Sequence, residues 1–167
     1  MAAKIAIIGA GPAGLMAAQT LAQAGFSATI FDAMPSAARK FLQAGRGGLN
    51  LTHHDDFDFF VSHYGESAPM LIPALKDFTP NDMRSWAHSL GFDTFIGSSG
   101  KIYPLDKKAA PLLRAWLHYL KQHNISFRMK HQLTDWRVES QATQNTASPY
   151  PIICTFNTPV GKKNRIL

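Results

Sequence analysis

Gly9, Gly11 and Gly14 stand two and three residues apart, with a lone acid, Asp32, further along. These residue types at these spacings can hold a dinucleotide. Gly9 permits a tight turn, Gly11 lets the backbone approach a phosphate, and Gly14 lets a helix pack closely on a strand. Pro12 and Ala13 lie between them and open the helix, whose free N–H groups and positive dipole end suit a pyrophosphate. Asp32 can accept both hydroxyl hydrogen bonds of an adenosine ribose. It would repel a 2′-phosphate, so FAD and NAD both remain open.

The flanking residues supply the elements that must position this chemistry. Lys4 to Ile8 is short, apolar and β-branched, as in a strand buried on both faces. Leu15, Ala18, Leu21 and Ala22 recur at helical spacing until Gly25, which is placed to end the helix. Ser27 to Phe31 reads as the second strand, closed by Asp32. A βαβ unit without a ligand and a secretory leader are the bland alternatives. Three glycines and a proline inside the apolar stretch argue against the leader.

A second glycine-rich segment runs from Arg39-Lys40 through Gly45-Arg46-Gly47-Gly48 to Asn50, Leu51, Thr52 and His53. Glycine amides around an arginine can converge on an anion, with Arg46 as the charged donor. The next residues, His53-His54-Asp55-Asp56, have ligand chemistry but not ligand spacing, since adjacent histidines point apart. No metal site is expected, and His53 approaching a cofactor is the livelier alternative. Ser98 and Ser99 sit in a turn without the context of an activated nucleophile. No catalytic acid can be nominated.

The chain has 167 residues, 46% hydrophobic and 17% charged, which fits one globular domain. One cysteine excludes an internal disulfide and fits a reducing cytoplasm. No apolar run is long enough to cross a bilayer, so no membrane association is expected. The net charge of +6 is spread along the chain and is not interleaved with aromatics, so a small-molecule substrate is expected and nucleic acid is not.

Further along, Thr79-Pro80-Asn81-Asp82 predicts a capped helix start, with Met83, Trp86, Ala87 and Leu90 as its apolar stripe. Phe92 to Ile96 and Lys101 to Tyr103 flank a hairpin turn at 97–100. Lys107 to His123 predicts an amphipathic crossover helix leading to a parallel strand at Ile125 to Met129. Leu133 to Val138 and Ile152 to Asn157 read as two meander strands separated by a polar stretch, Glu139 to Pro149. The resulting organisation is a βαβ unit with its glycine-rich loop (1–56), a helix–hairpin insertion (57–104), a crossover helix with strand and partial meander (105–159), and a tail (160–167). Two meander strands would leave an open edge through which the chain could associate.

Taken together, Gly9-Ala-Gly-Pro-Ala-Gly14, Arg46-Gly-Gly-Leu-Asn-Leu-Thr-His53, Gly100-Lys-Ile-Tyr-Pro104 and Lys108-Ala-Ala-Pro-Leu-Leu-Arg-Ala-Trp-Leu117 resemble a family of bacterial FAD-dependent oxidoreductases, the largely uncharacterised NAD(FAD)-utilising dehydrogenase flavoproteins. Relatives include a flavoprotein reductase of unsaturated bile-acid steroids. This chain is similar to the branch carrying GRGGLNLTH where others carry GGGRCNLTN, so thiol chemistry in that loop is excluded. The resemblance implies an α/β, Rossmann-like FAD/NAD(P)-binding domain of three layers with a β-meander and a small helix–hairpin insertion, here incomplete and truncated. It implies that Gly9, Gly11, Pro12, Ala13 and Gly14 wrap the FAD pyrophosphate and that Asp32 holds the ribose. Arg46, Gly47, Gly48, Asn50 and Leu51 would line the path to the flavin, with Arg39 and Lys40 near the cofactor. The implied reaction is hydride transfer from NAD(P)H through FAD to an organic acceptor such as an activated C=C bond. An inert remnant that binds an ADP-containing nucleotide weakly and an NAD-binding regulatory module are the alternatives.

Overall fold

The structure, a computed structural model, describes residues 5–138 and 152–166. Lys4, the expected first residue of the opening strand, and the polar stretch Glu139 to Pro149 lie outside them. The chain divides into two compact units, residues 1–41 with 117–167, and residues 42–116.

In the first unit, β1 (Ile5–Ile8), α1 (Pro12–Gln23) and β2 (Ala28–Asp32) follow one another as the sequence predicts. Gly25, at φ +81, receives the chain at the end of α1, and the Phe26 N–H reaches back to the Leu21 carbonyl at 2.9 Å. The parallel sheet has the order β1-β2-β6, with β6 at Ile125–Met129. β2 is therefore central, and Ile30 is wholly buried in it. The sequence reading buries β1 on both faces. Instead β1 pairs only with β2 among the described residues, and Ile8 is half exposed, because β1 lies at the margin of this sheet.

Alternation along the strands builds three layers. One face of the sheet carries Ile7, which lies beside Gly14 of α1, and α1 turns Leu15, Ala18 and Ala22 inward. The other face presents Phe31 and Ala6 to a meander of β7 (Gln132–Val138), β8 (Ile152–Thr158) and β9 (Gly161–Ile166). Phe31 stacks on Phe156 with centroids 4.5 Å apart, and Cys154 and Leu133 complete the cluster. Each fully buried aromatic of this kind contributes about 2 kcal/mol by area removed from water. The fold is thus α/β and Rossmann-like.

A third meander strand replaces the expected tail. Thr158 and Gly161 pair across a two-residue turn, Gly161 adopts φ +101, and Ile153 to Thr158 run antiparallel to Gly161 to Ile166. The Thr158 hydroxyl donates to the Gly161 carbonyl at 2.7 Å and tightens that turn. The edge of β8 from which association was expected is covered by β9.

In the second unit, α2 (Arg39–Ala44) enters from the first and a single 3-10 turn follows at Gly45–Gly47. Then come β3 (Thr52–His53), α3 (Phe57–Ser62), α4 (Ala68–Asp77), α5 (Pro80–Ser89), β4 (Thr94–Ile96), β5 (Lys101–Pro104) and α6 (Ala109–Gln122), within which the two units divide. The small antiparallel sheet has the order β3-β5-β4. The cap at Thr79 forms as a full capping box with Asp82, and the Thr79 hydroxyl and then its N–H, both donating to the Asp82 carboxylate, hold that carboxyl below its ordinary range. Trp86 and Trp116 meet edge-on at 4.8 Å in the buried interior of this unit, as their helical spacing predicts. No helix among the described residues is long and apolar enough to cross a membrane.

Candidate functional site

The glycine loop is built from backbone constraints. Gly9 adopts φ +104, a conformation that side chains disfavour, and its N–H donates to the Phe31 carbonyl at 2.7 Å. At Gly14 a Cβ would lie 1.9 Å from the Gly9 carbonyl oxygen, so only glycine lets α1 approach β1 this closely. Gly11 has no such neighbour: a Cβ there would meet nothing within 4 Å. The space above Gly11 is open, as the approach of a phosphate requires. Pro12 begins α1, no side chain caps the helix, and its first turn carries no acid. The N–H groups of Ala13 and Gly14 therefore lie in the first turn of a helix that carries no acid and no side-chain cap of its own there.

Asp32 closes the loop from below. Its Oδ2 accepts the Ala10 N–H at 2.6 Å and its Oδ1 accepts the Met34 N–H at 2.7 Å. Each carboxylate oxygen retains a lone pair, so ribose hydroxyls can be accepted while both amides stay bound. The Ala10 carbonyl in turn accepts from Ala38, which is buried at φ +53. Ala10, Met34 and Ala38 are loop-holding residues that the sequence reading missed. Nothing in their side chains marks them, since all three act through the main chain. The donor set, the open approach at Gly11 and the half-buried acid fit a dinucleotide with a free 2′-hydroxyl. Arg39 and Lys40 sit exposed on α2.

The second glycine-rich segment belongs to the other unit, where its own contacts hold it. Gly45 rests against Ala109, whose Cβ would be 2.4 Å from a Cβ added at Gly45. Gly48 turns at φ +115, and buried Leu49 donates its N–H to the Lys107 carbonyl at 2.8 Å. The Leu51 N–H donates to the Ile102 carbonyl at 2.8 Å. The Asn50 amide nitrogen, oriented by its neighbours, donates to the Thr52 and Ile102 carbonyls at 2.8 and 3.3 Å. Asn50 thus braces the segment, while Arg46 and Gly47 are exposed and free to meet a ligand. Lys107 is a further residue without a sequence signal: its Nζ sits 5.2 Å from the Phe95 ring and 5.5 Å from the Tyr103 ring, over a cross-strand stacked pair.

The other constellations resolve into local structure. No group of three or more metal-ligating side chains gathers among the described residues. His53 pairs with Asp55 at 2.7 Å and lies 2.8 Å from the Ser99 carbonyl oxygen, so both its ring nitrogens are engaged within the second unit. Cys154 is buried between the sheet and the meander, and that burial pushes its thiol pKa up, the reverse of an activated nucleophile.

Comparison with known proteins agrees with this geometry. Residues 3–152 match the family described as HI0933-like protein Rossmann domain. Among curated proteins, the ribosomal RNA dihydrouridine synthase of Haemophilus influenzae is 34% identical over 98 residues, covering 58% of this chain and 24% of that protein. The matched stretch therefore spans about a quarter of that relative's length. Among solved structures, THI4 of Thermovibrio ammonificans superposes with a TM-score of 0.57 at 14% identity, covering 98% of this chain and 54% of that one. A flavocytochrome c3 fumarate reductase in its open conformation gives 0.55 at 15% identity, covering 96% of this chain and 31% of its own. OxyS, an anhydrotetracycline hydroxylase from Streptomyces rimosus, gives 0.51 at 16%, covering 98% and 30%. At these identities the structural likeness is one of fold.

Proposed function

This chain belongs to the HI0933-like protein Rossmann domain family, and we propose that it holds FAD and serves the reduction of an activated C=C bond, with NAD(P)H as the electron donor. The observation that carries the proposal is the preassembled loop from Gly9 to Asp32, with its open approach at Gly11 and uncapped helix end. Bound FAD would supply the hydride-transfer chemistry, and the protein's part is to bind and orient it. The first-turn amides of α1 would hold the pyrophosphate and the remaining lone pairs of Asp32 the adenosine ribose. Exposed Arg46 is the charged donor we assign to an anionic part of the cofactor, with Gly47, Gly48 and Leu51 beside it, Asn50 as their brace, and Arg39 and Lys40 as further basic contacts.

For the acceptor we propose the uracil ring of an RNA. The relative's name denotes formation of dihydrouridine, in which a C=C bond conjugated to a carbonyl has been reduced. That is the acceptor type the sequence resemblance implies. The net charge of +6 supports a polyanionic substrate, which the absence of basic–aromatic interleaving had set aside.

The test uses the purified full chain. Yellow protein that keeps FAD through gel filtration supports the cofactor assignment, and a colourless preparation that still binds ADP reduces the chain to a nucleotide-binding module. With FAD bound, unmodified ribosomal RNA should reoxidise the reduced protein without oxygen and gain dihydrouridine by nucleoside mass spectrometry. Reoxidation by a simple enone but not by RNA would overturn the acceptor while leaving the cofactor in place.

A further inference from the structure

We infer that the outer face of the β3-β5-β4 sheet docks single-stranded RNA, with Phe95 and Tyr103 as a stacking platform and Lys101 and Lys107 as phosphate contacts. Alternation sorts this small sheet into two faces. On one, Ile102 is wholly buried, Pro104 is buried beside it, and the Thr94 hydroxyl meets Arg84 and His88 of α5 at 3.2 and 3.3 Å. That face belongs to the interior of the second unit. The other carries Phe95 and Tyr103, whose rings are half-buried, and the exposed Lys101. Phe95 and Tyr103 are register partners, and their rings stack with centroids 5.7 Å apart and planes at 26°. Gly97 leaves room for this arrangement. A Cβ there would lie 3.1 Å from a ring carbon of Tyr103.

Lys107 is delivered to the platform by its own main chain. Its N–H donates to the Pro104 carbonyl at 2.9 Å, its carbonyl accepts from Leu49 at 2.8 Å, and its φ is +53. From there Nζ reaches 5.2 Å from the Phe95 ring centre and 5.5 Å from that of Tyr103. No acid stands within β3, β4 or β5. The flanking acids are Asp93 and Asp106, and Asp106 is turned to the Lys108 N–H at 3.0 Å. Basic and aromatic residues are not interleaved along the chain as a whole, yet this hairpin gathers both on one face. A stacked base gains more on an aromatic ring than an exposed ammonium does. An arriving strand therefore displaces Lys107 from the rings and meets it again at a phosphate. A duplex hides the faces of its bases, and an uncharged partner leaves the lysines without countercharge, so a single strand is the occupant that uses both features. The choice of RNA rests on the acceptor reading given above.

The test is fluorescence-anisotropy binding of a labelled oligouridylate to the full chain, without FAD or reductant. Phe95→Leu and Tyr103→Leu should each weaken binding about tenfold. Lys101→Gln and Lys107→Gln should each lower the slope of log affinity against log salt by about 0.7, as loss of one single-strand phosphate contact implies. Photocrosslinks from a thiouridine-substituted strand should map to Phe95 or Tyr103 by mass spectrometry. Exchange at the Leu51 amide, which donates to the Ile102 carbonyl, reports whether the sheet persists in each variant. Should a leucine variant lose the sheet, the crosslink position in the native chain still decides. Four results would overturn the surface: no binding, unaltered affinity in both leucine variants, equal binding of duplex RNA or heparin, or preference for anionic phospholipid vesicles. A chain that carries FAD and reduces a simple enone but binds no oligouridylate overturns this surface alone. One that binds through these rings yet leaves RNA unreduced supports the surface and overturns the acceptor.

Discussion

Gly14→Ala sets two effects of opposite sign against each other. Gly14 is the third residue of α1, and by helix propensity alone alanine should stabilise the chain by up to about 1 kcal/mol. The packing says otherwise. The new Cβ would sit 1.9 Å from the Gly9 carbonyl oxygen, where ordinary contact begins at 3.4 Å, and 3.1 Å from the carbonyl carbon. Neither atom can swing aside as a side chain would, because the Gly9 N–H is tied to the Phe31 carbonyl at 2.7 Å. Overpacking of this kind costs about 1–3 kcal/mol, and a backbone obstacle places it at the upper end. The clash therefore outweighs the propensity gain by about 2 kcal/mol, roughly thirtyfold in the opening equilibrium. Native-state hydrogen exchange at the amides of β1 and β2 reads the first unit separately from the second, where the Met83 amide should be unaffected. A Gly14→Ala protein with β1 and β2 protected as well as in the native chain would refute the close-packing argument, and with it the physical reason for the third glycine.

The remaining expectations address other parts of the molecule. Gly11→Ala should leave the β1 and β2 amides within about 0.5 kcal/mol of native, since its φ is −78 and its Cβ meets nothing, yet it should weaken ADP binding by calorimetry. Asp32→Asn keeps one acceptor oxygen and turns an NH2 group towards the other amide, so the Ala10 or Met34 bond is lost. ADP binding should fall by about 10- to 100-fold, and unchanged affinity would remove Asp32 from the site. Cys154 should resist thiol reagents in the native chain even in mildly alkaline buffer and react once denaturant exposes it. Rapid native labelling would contradict its burial. The capping box ties α5 to pH: because the native Asp82 carboxyl is held low, its contribution is complete above the ordinary aspartate range. That contribution disappears as pH falls through the lowered native value, which faster exchange at the Met83 amide should report and Asp82→Asn should abolish.

The elements that were legible in the sequence are those specified by local chemistry. Gly9, Gly14 and Gly25 mark a turn, a close approach and a helix end that each depend on a few neighbouring atoms. Thr79 and Asp82 are three residues apart and make their bonds within that span. What was hidden depends on pairing across distance. β9 reads as a tail because Lys162, Lys163 and Arg165 break any alternation in the sequence, whereas the strand is set by backbone pairing with β8. The turn before it, with Gly161 after Pro159 and Val160, was the signal available. Asn50 shows the same limit at the candidate site. Its type allowed a cofactor donor or a brace, and only the positions of the Thr52 and Ile102 carbonyls distinguish them.

Asp32 changes most in meaning between sequence and structure. Read from its position, it is a ribose acceptor waiting at the end of a strand. In the folded chain its two oxygens already hold Ala10 and Met34, and Ala38 holds Ala10 from the other side. The phosphate-facing loop is thus ordered by the acid that would also bind the sugar. A nucleotide arriving there meets amides already oriented, so little ordering entropy is charged against binding. The same coupling means that a substitution at Asp32 disturbs the pyrophosphate end as well as the ribose end. Adenosine, which carries the ribose but no pyrophosphate, separates the two contributions. If Asp32 acts through both, Asp32→Asn should lose more affinity for ADP than for adenosine, and equal losses would confine it to the sugar.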